Sequence, residues 1–226
     1  MKALLYKEFK LAMHPICYLF VFLFPLMILI PSYPAAVGFI YVLSCYPILF
    51  LGANKGQQSN DLLYSTLLPI RKKDIVLARI ITVSIMQFTF MALMSALLPA
   101  AMVIHETIKI SGGTPTTGLP LYGFGSTLAF AIIGYTIADL IFFPIYYKNG
   151  KSIVLSTLMT ILGFTIYIMF VTVVIPYIPG AEGYVNFFSN SPWIQIGFFA
   201  TSLLIYIGLH YLIYRISAKR LERVDF

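Results

Sequence analysis

From Leu11 to Asn54 the chain carries no Asp, Glu, Lys or Arg. That run suffices for two crossings of a bilayer, at the ~20 residues each that a helix rising 1.5 Å per residue needs to span a hydrocarbon core. A run this long is apolar on every helix face, so it calls for lipid around it rather than a single buried stripe. Pro31-Ser32-Tyr33-Pro34 interrupts it near the middle and predicts a tight hairpin between spans at about 15–31 and 35–53. Cutting the rest of the chain at its charges gives four more apolar segments. Ile80 to His105 predicts a span at about 77–104, and Ile110 to Ala138, continuing past Asp139 to Tyr147, one at about 120–146. Ser152 to Ala181, stopped by Pro176 and Pro179, predicts 152–175, and Gly183 to Tyr214, helical after Pro192, predicts 193–214. The fold class is therefore an all-α integral membrane protein with six transmembrane helices, a single domain over residues 1–226.

Composition agrees, with 60% apolar and 10% charged residues against about 45–50% and about 25% in a soluble domain. The net charge of +7 would suit nucleic acid if it formed one face of a folded domain. Instead it is distributed by topology. Of the 15 Lys and Arg, all but Lys109 fall at the N-terminus, the second loop, the fourth loop and the C-terminus. Positive residues flanking spans are retained on the cytoplasmic side, so both termini are expected there. Tyr33, Tyr177, Tyr184 and Trp193 fall at outer ends, in the headgroup layer that amphipathic rings prefer. Residues 1–13 read as a short interfacial helix with Leu5, Phe9, Ala12 and Ile16 on one face and Lys7 and Lys10 directed away. Cys17 and Cys45 have no partner spacing that would indicate a disulfide framework or a zinc site.

The longest polar stretch, about 55–74, is where such a chain would meet a cytoplasmic partner. Asn60 can cap a helix with Asp61 in its first turn, and Leu62 to Leu68 continues it until Pro69. Leu63 with Leu67 and Tyr64 with Leu68 make an apolar face, and Arg71, Lys72 and Lys73 follow as an anchor to anionic headgroups. The segment Leu68-Pro69-Ile70-Arg71-Lys72-Lys73-Asp74-Ile75-Val76-Leu77-Ala78-Arg79 resembles the loop between the second and third spans of ABC transporter permeases of the type-2 exporter class. Phe143 to Lys151 is similar to their fourth-to-fifth-span loop, and Ile216 to Phe226 to their basic tail. Gln57 and Gln58 stand where such permeases often carry acidic residues.

The resemblance implies a permease subunit of a bacterial plasma-membrane exporter for an amphipathic or peptide-like substrate, paired with a second copy or paralogue. It also implies separate cytoplasmic ATPase subunits, which bind the ATP and magnesium, and a coupling helix at Asn60 to Pro69 with Lys148 and Lys151 near it. No cofactor is expected in this chain. Asn149-Gly150-Lys151-Ser152 mimics the end of a phosphate loop, but the earlier glycine that loop needs falls at Ile145.

Enzymatic motifs fail similarly. His105-Glu106 opens like a zinc-protease helix, yet Lys109 occupies the place of the second histidine. Gly123, Gly125 and Gly134 suit close helix packing rather than a nucleophile elbow. His14 and His210 have no acid near them in sequence and read as interfacial hydrogen-bonding residues. Asp139 is the informative charge, about 12 Å inside the cytoplasmic end of its span. A carboxylate there must face protein, water or a polar partner, either in a helix–helix hydrogen bond or an inner vestibule, or along the substrate path. The alternative functions are a small polytopic membrane enzyme and an ion-coupled secondary transporter using Asp139.

Overall fold

A computed structural model describes residues 2–12, 15–29, 70–110, 124–149, 153–171 and 191–223, and every regular element among them is helical. The expected hairpin turn at Pro31–Pro34, the span at 35–53, the coupling helix from Asn60 to Pro69, and His14, Cys45, Lys151, Tyr33, Tyr177 and Tyr184 all lie outside the described residues.

Helix α1 (Lys2–Lys7) passes into a π-helical stretch over Glu8–Ala12, and α2 (Pro15–Leu23) passes into a 3₁₀ stretch over Phe24–Leu29. The long helices are α3 (Lys72–Ile110), α4 (Phe124–Asn149) and α6 (Pro192–Glu222), with the shorter apolar α5 (Ile153–Met169) between the last two. Three of them, α3 over Lys72–Leu97, α4 and α6, are long and apolar enough to cross a membrane.

Several helices extend beyond the boundaries that charge placed on the spans. Helix α3 starts at Lys72 rather than 77, with the Asp74 N–H donating to the Arg71 carbonyl at 2.8 Å and the Asp74 carboxylate in a first turn whose exposed amides favour it. Helix α6 starts on Pro192, whose missing N–H costs nothing at the first helical position, and continues through Arg215, Lys219 and Arg220. A charge marks where the hydrocarbon ends; Lys and Arg are good helix formers and do not end the helix.

Within the spans, hydroxyls bond backward along their own helices. Thr82, Thr89 and Ser95 donate to the carbonyls of Ala78, Ile85 and Met91, and Thr136 and Thr160 to those of Ile132 and Ser156, at 2.7–2.9 Å. Each hydroxyl is thereby satisfied without water.

Paired contacts give the helix directions. Gly125 meets Gln195, Phe130 meets Phe198, Asp139 meets His210 and the Pro144 carbonyl meets Arg220, so α4 and α6 run parallel. Helix α3 is antiparallel to both, with Arg79 against Tyr146 and Gln87 against Asp139 and Tyr206. Helix α5 returns antiparallel to α4, placing Tyr167 on Phe130 and Gly163 on Ile141. The start of α3, the ends of α4 and α6, and α1 with its π-helical stretch consequently share one end of the bundle.

Helix α4 occupies the centre, with 67% of its span buried against 17% for α6. Ile132, Tyr135, Phe142 and Phe143 of α4 pack with Val76 and Phe90 of α3, Phe164 of α5 and Ile213 of α6. At Gly134 the α4–α5 seam closes so tightly that a Cβ would sit 2.9 Å from Phe164 Cε2 and 3.0 Å from Tyr167 Cε1. A side chain there would push two ring edges apart, so the small residue sets the helix separation. Outward, α6 presents Trp193, Ile196, Leu204 and Ile207, and α5 presents Leu158, Leu162 and Ile166, all well exposed. An apolar surface this extensive suits hydrocarbon and not water.

Candidate functional site

Among the described residues, two joints between buried polar side chains of different helical elements interrupt this apolar bundle. The first lies midway along it. Asp139 of α4 is wholly buried. Its Oδ2 accepts a hydrogen bond from Gln87 Nε2 of α3 at 3.0 Å and lies 3.0 Å from His210 Nε2 of α6. His210 Nδ1 is 2.9 Å from the Tyr206 carbonyl one turn earlier, and the two rings stack with centroids 3.7 Å apart. The Tyr206 hydroxyl donates to Gln87 Oε1 at 2.7 Å and sits 2.8 Å from Ser84 Oγ. Three helices are thus tied at one level through a carboxylate, an amide, an imidazole and a phenol. In a low-dielectric interior this is how buried polar groups offset their desolvation.

The second joint lies at the end that gathers the basic residues. Arg79 of α3 and Glu8 of the π-helical stretch are both buried. The guanidinium donates through Nε to Glu8 Oε2 at 3.1 Å and through Nη2 to Oε1 at 3.4 Å, a fork-to-fork pairing. Arg79 Nη1 also donates to the Tyr146 hydroxyl at 3.2 Å. Beside it, Leu4 packs with Ile75 and Ala78 of α3, with Leu5 against them. The buried side of α1 and the π-helical stretch after it therefore runs through Leu4 and Glu8 as well as Leu5 and Phe9, rotated from the purely apolar face expected of an interfacial helix. Glu8 turns inward because Arg79 is there to receive it. Arg220 completes this end, donating to the Pro144 carbonyl of α4 at 2.6 Å.

Of the residues singled out from sequence, Lys72 and Lys73 form the first turn of α3, partly buried, with Arg71 exposed just before them. Lys148 is exposed in the last turn of α4. Asn60, Asp61, Leu63, Tyr64, Leu67, Leu68, Pro69 and Lys151 lie outside the described residues. Asp139 acquires partners that sequence did not give it: Gln87, His210 and, through Gln87, Tyr206. The reading of His210 as a histidine without a nearby acid is corrected. Its acid is Asp139, on a helix parallel to its own and 71 positions away. Glu8 and Arg79 were also missed as a pair, for the same reason. The residual signal in the sequence was the presence of Glu8 on a face otherwise apolar. Among the described residues no three of His, Cys, Asp and Glu converge as a metal set, so Asp139 and His210 meet as a pair only.

Long apolar helices tied by buried polar joints, with apolar side chains turned outward, define a polytopic membrane protein. Comparison with known families then gives the particular one. The family model described as "ABC-2 family transporter protein" matches residues 3–220. The chain belongs to that family, and is a membrane-embedded transport subunit rather than an enzyme. No curated protein and no solved structure gives a match.

Proposed function

We propose that the chain is the permease subunit of an ATP-driven exporter in a bacterial plasma membrane, working as two six-span halves with separate ATPase subunits that bind the ATP and magnesium. The observation that carries this reading is the family match over residues 3–220. The geometry supports it, because the elements bearing Lys2, Lys7, Lys10, Arg71, Lys72, Lys73, Lys148, Lys219 and Arg220 gather at one end of the bundle. Positive residues are retained at the cytoplasmic face, so that end and both termini face the cytosol.

The segment 55–74, leading directly into the first turn of α3, is the ATPase contact. Leu63, Tyr64 and Leu67 supply its apolar side, with Asn60, Asp61, Leu68 and Pro69 shaping it and Lys148 and Lys151 flanking it. Arg71 to Lys73 hold it at the membrane surface. Substrate, amphipathic or peptide-like, moves along the seam between the two halves, and Asp139 contributes by fixing the helices that border it.

Two experiments test this. Co-expression with a partner ABC ATPase should give a complex that survives purification, and Leu63→Asp with Leu67→Asp should dissolve it while leaving the chain inserted. A doubly substituted chain that still binds and stimulates the ATPase would exclude this segment as the contact. Independently, a cysteine at Gly112 should react with a membrane-impermeant thiol reagent in intact cells and one at Gln57 should not. The opposite pattern would reverse the orientation.

A further inference from the structure

The hydrogen-bond geometry at His210 sets a condition on proton content that the apolar surroundings make consequential. Both ring nitrogens face oxygen. Nδ1 is 2.9 Å from the Tyr206 carbonyl, which can only accept, so Nδ1 carries a proton. Nε2 is 3.0 Å from Asp139 Oδ2. A neutral imidazole with its proton on Nδ1 would turn a bare lone pair toward a carboxylate oxygen, two acceptors in contact with no hydrogen between them. Gln87 cannot relieve this, because its Nε2 donates to the same Oδ2.

We propose that Asp139 and His210 form an intramembrane proton-binding site: the pair retains one proton in the bundle, and that proton clasps α4 to α6. In the resting clasp that proton bridges His210 Nε2 and Asp139 Oδ2, and Gln87 donates to the same oxygen. The pair is then neutral overall, as a buried site inside an apolar bundle must be to avoid stranding a net charge.

The site also provides a neutral way to part the two helices. Separating imidazolium from carboxylate would leave two ions among apolar side chains. If the Nε2–H bond breaks and an Oδ2–H bond forms, His210 and Asp139 part as imidazole and carboxylic acid, with no charge left on either. Among the described residues, the side chains that contact the pair or its partners include Gln87 and Ser84 of α3 and Tyr206 of α6, all uncharged. The Glu8–Arg79 ion pair lies beside Tyr146, about 10 Å further along α4. The inference goes beyond the transport reading and does not rest on it.

The test uses the full chain purified in detergent, with the thermal unfolding midpoint followed from about pH 6 to about pH 9, the range over which histidine sites exchange protons. A native state that holds the extra proton loses stability as pH rises. The wild-type midpoint should fall by several degrees across the range. Asp139→Asn should be nearly flat, because it removes the carboxylate that retains the proton on the pair. At about pH 7, His210→Leu should lie several degrees below the double variant Asp139→Leu with His210→Leu, since the single change leaves a carboxylate without its proton partner. Equal pH slopes in wild type and Asp139→Asn would overturn the proposal, as would a double variant no more stable than His210→Leu. If His210→Leu does not accumulate, the two pH profiles decide alone.

Discussion

The two polar joints perform the same mechanical task with different chemistry. Glu8–Arg79 joins an N-terminal element to α3 through a guanidinium, which keeps its proton at any pH a cell experiences. Asp139–His210 joins two parallel spans through an imidazole, the side chain whose charge changes most readily near neutrality. The permanent ion pair sits at the basic end, and the titratable one sits where a fixed charge would be most costly. The difference suggests a division between a joint that stays closed and one that can open.

Substitution can break that comparison. The largest effect is expected at the permanent joint: Arg79→Leu strands the buried Glu8 carboxylate and should cost about 3–5 kcal/mol. Its readout is the yield and melting of folded protein, together with faster proteolysis within residues 2–12. Glu8→Gln with Arg79→Leu should recover much of that loss; no recovery would mean that Arg79 acts through packing on Tyr146 instead. Next is Gly134→Ala, which forces a methyl against Phe164 and Tyr167 and should cost about 1–3 kcal/mol through overpacking. Because no ionisable group is involved, its penalty should be the same at low and high pH, which sharpens the contrast with the titratable joint.

Tyr206→Phe removes one hydroxyl between Gln87 and Ser84 and should cost about 1 kcal/mol, in the range of interhelical hydrogen bonds in membranes. A larger loss would show that Gln87 depends on Tyr206 to stay aimed at Asp139. Smallest is Arg220→Ala at about 0.5 kcal/mol, from a partly buried contact to a single backbone carbonyl, and added salt should shrink it further.

What sequence disclosed and what it withheld follow from the range of each force. Charge-free runs reveal helices because the length needed to cross lipid is a local property, and the clustering of Lys72, Lys148 and Arg220 at one end was legible from their loops. The partners of Asp139 were not. His210 and Gln87 reach it from other helices, and helix α4 is apolar around nearly its whole circumference, so periodicity carries no information about which face meets α3, α5 or α6. Gly134 was legible as a site of close packing, although which rings close on it was not. Glu8 shows how a single charge rotates an element: an apolar-face rule aims α1 by Leu5 and Phe9, and the reach to Arg79 turns it toward Leu4 and Glu8.

The unbroken course of α3 has a mechanical consequence. Between Lys72 and Pro99 no proline interrupts its hydrogen-bonded ladder, so this stretch behaves as a stiff rod. Gln87 lies about 22 Å along that rod from its first turn. A tilt imposed at Lys72 therefore reaches the level of Asp139 as sideways travel with little loss to bending, and Pro99, beyond the polar joint, is where the rod can flex.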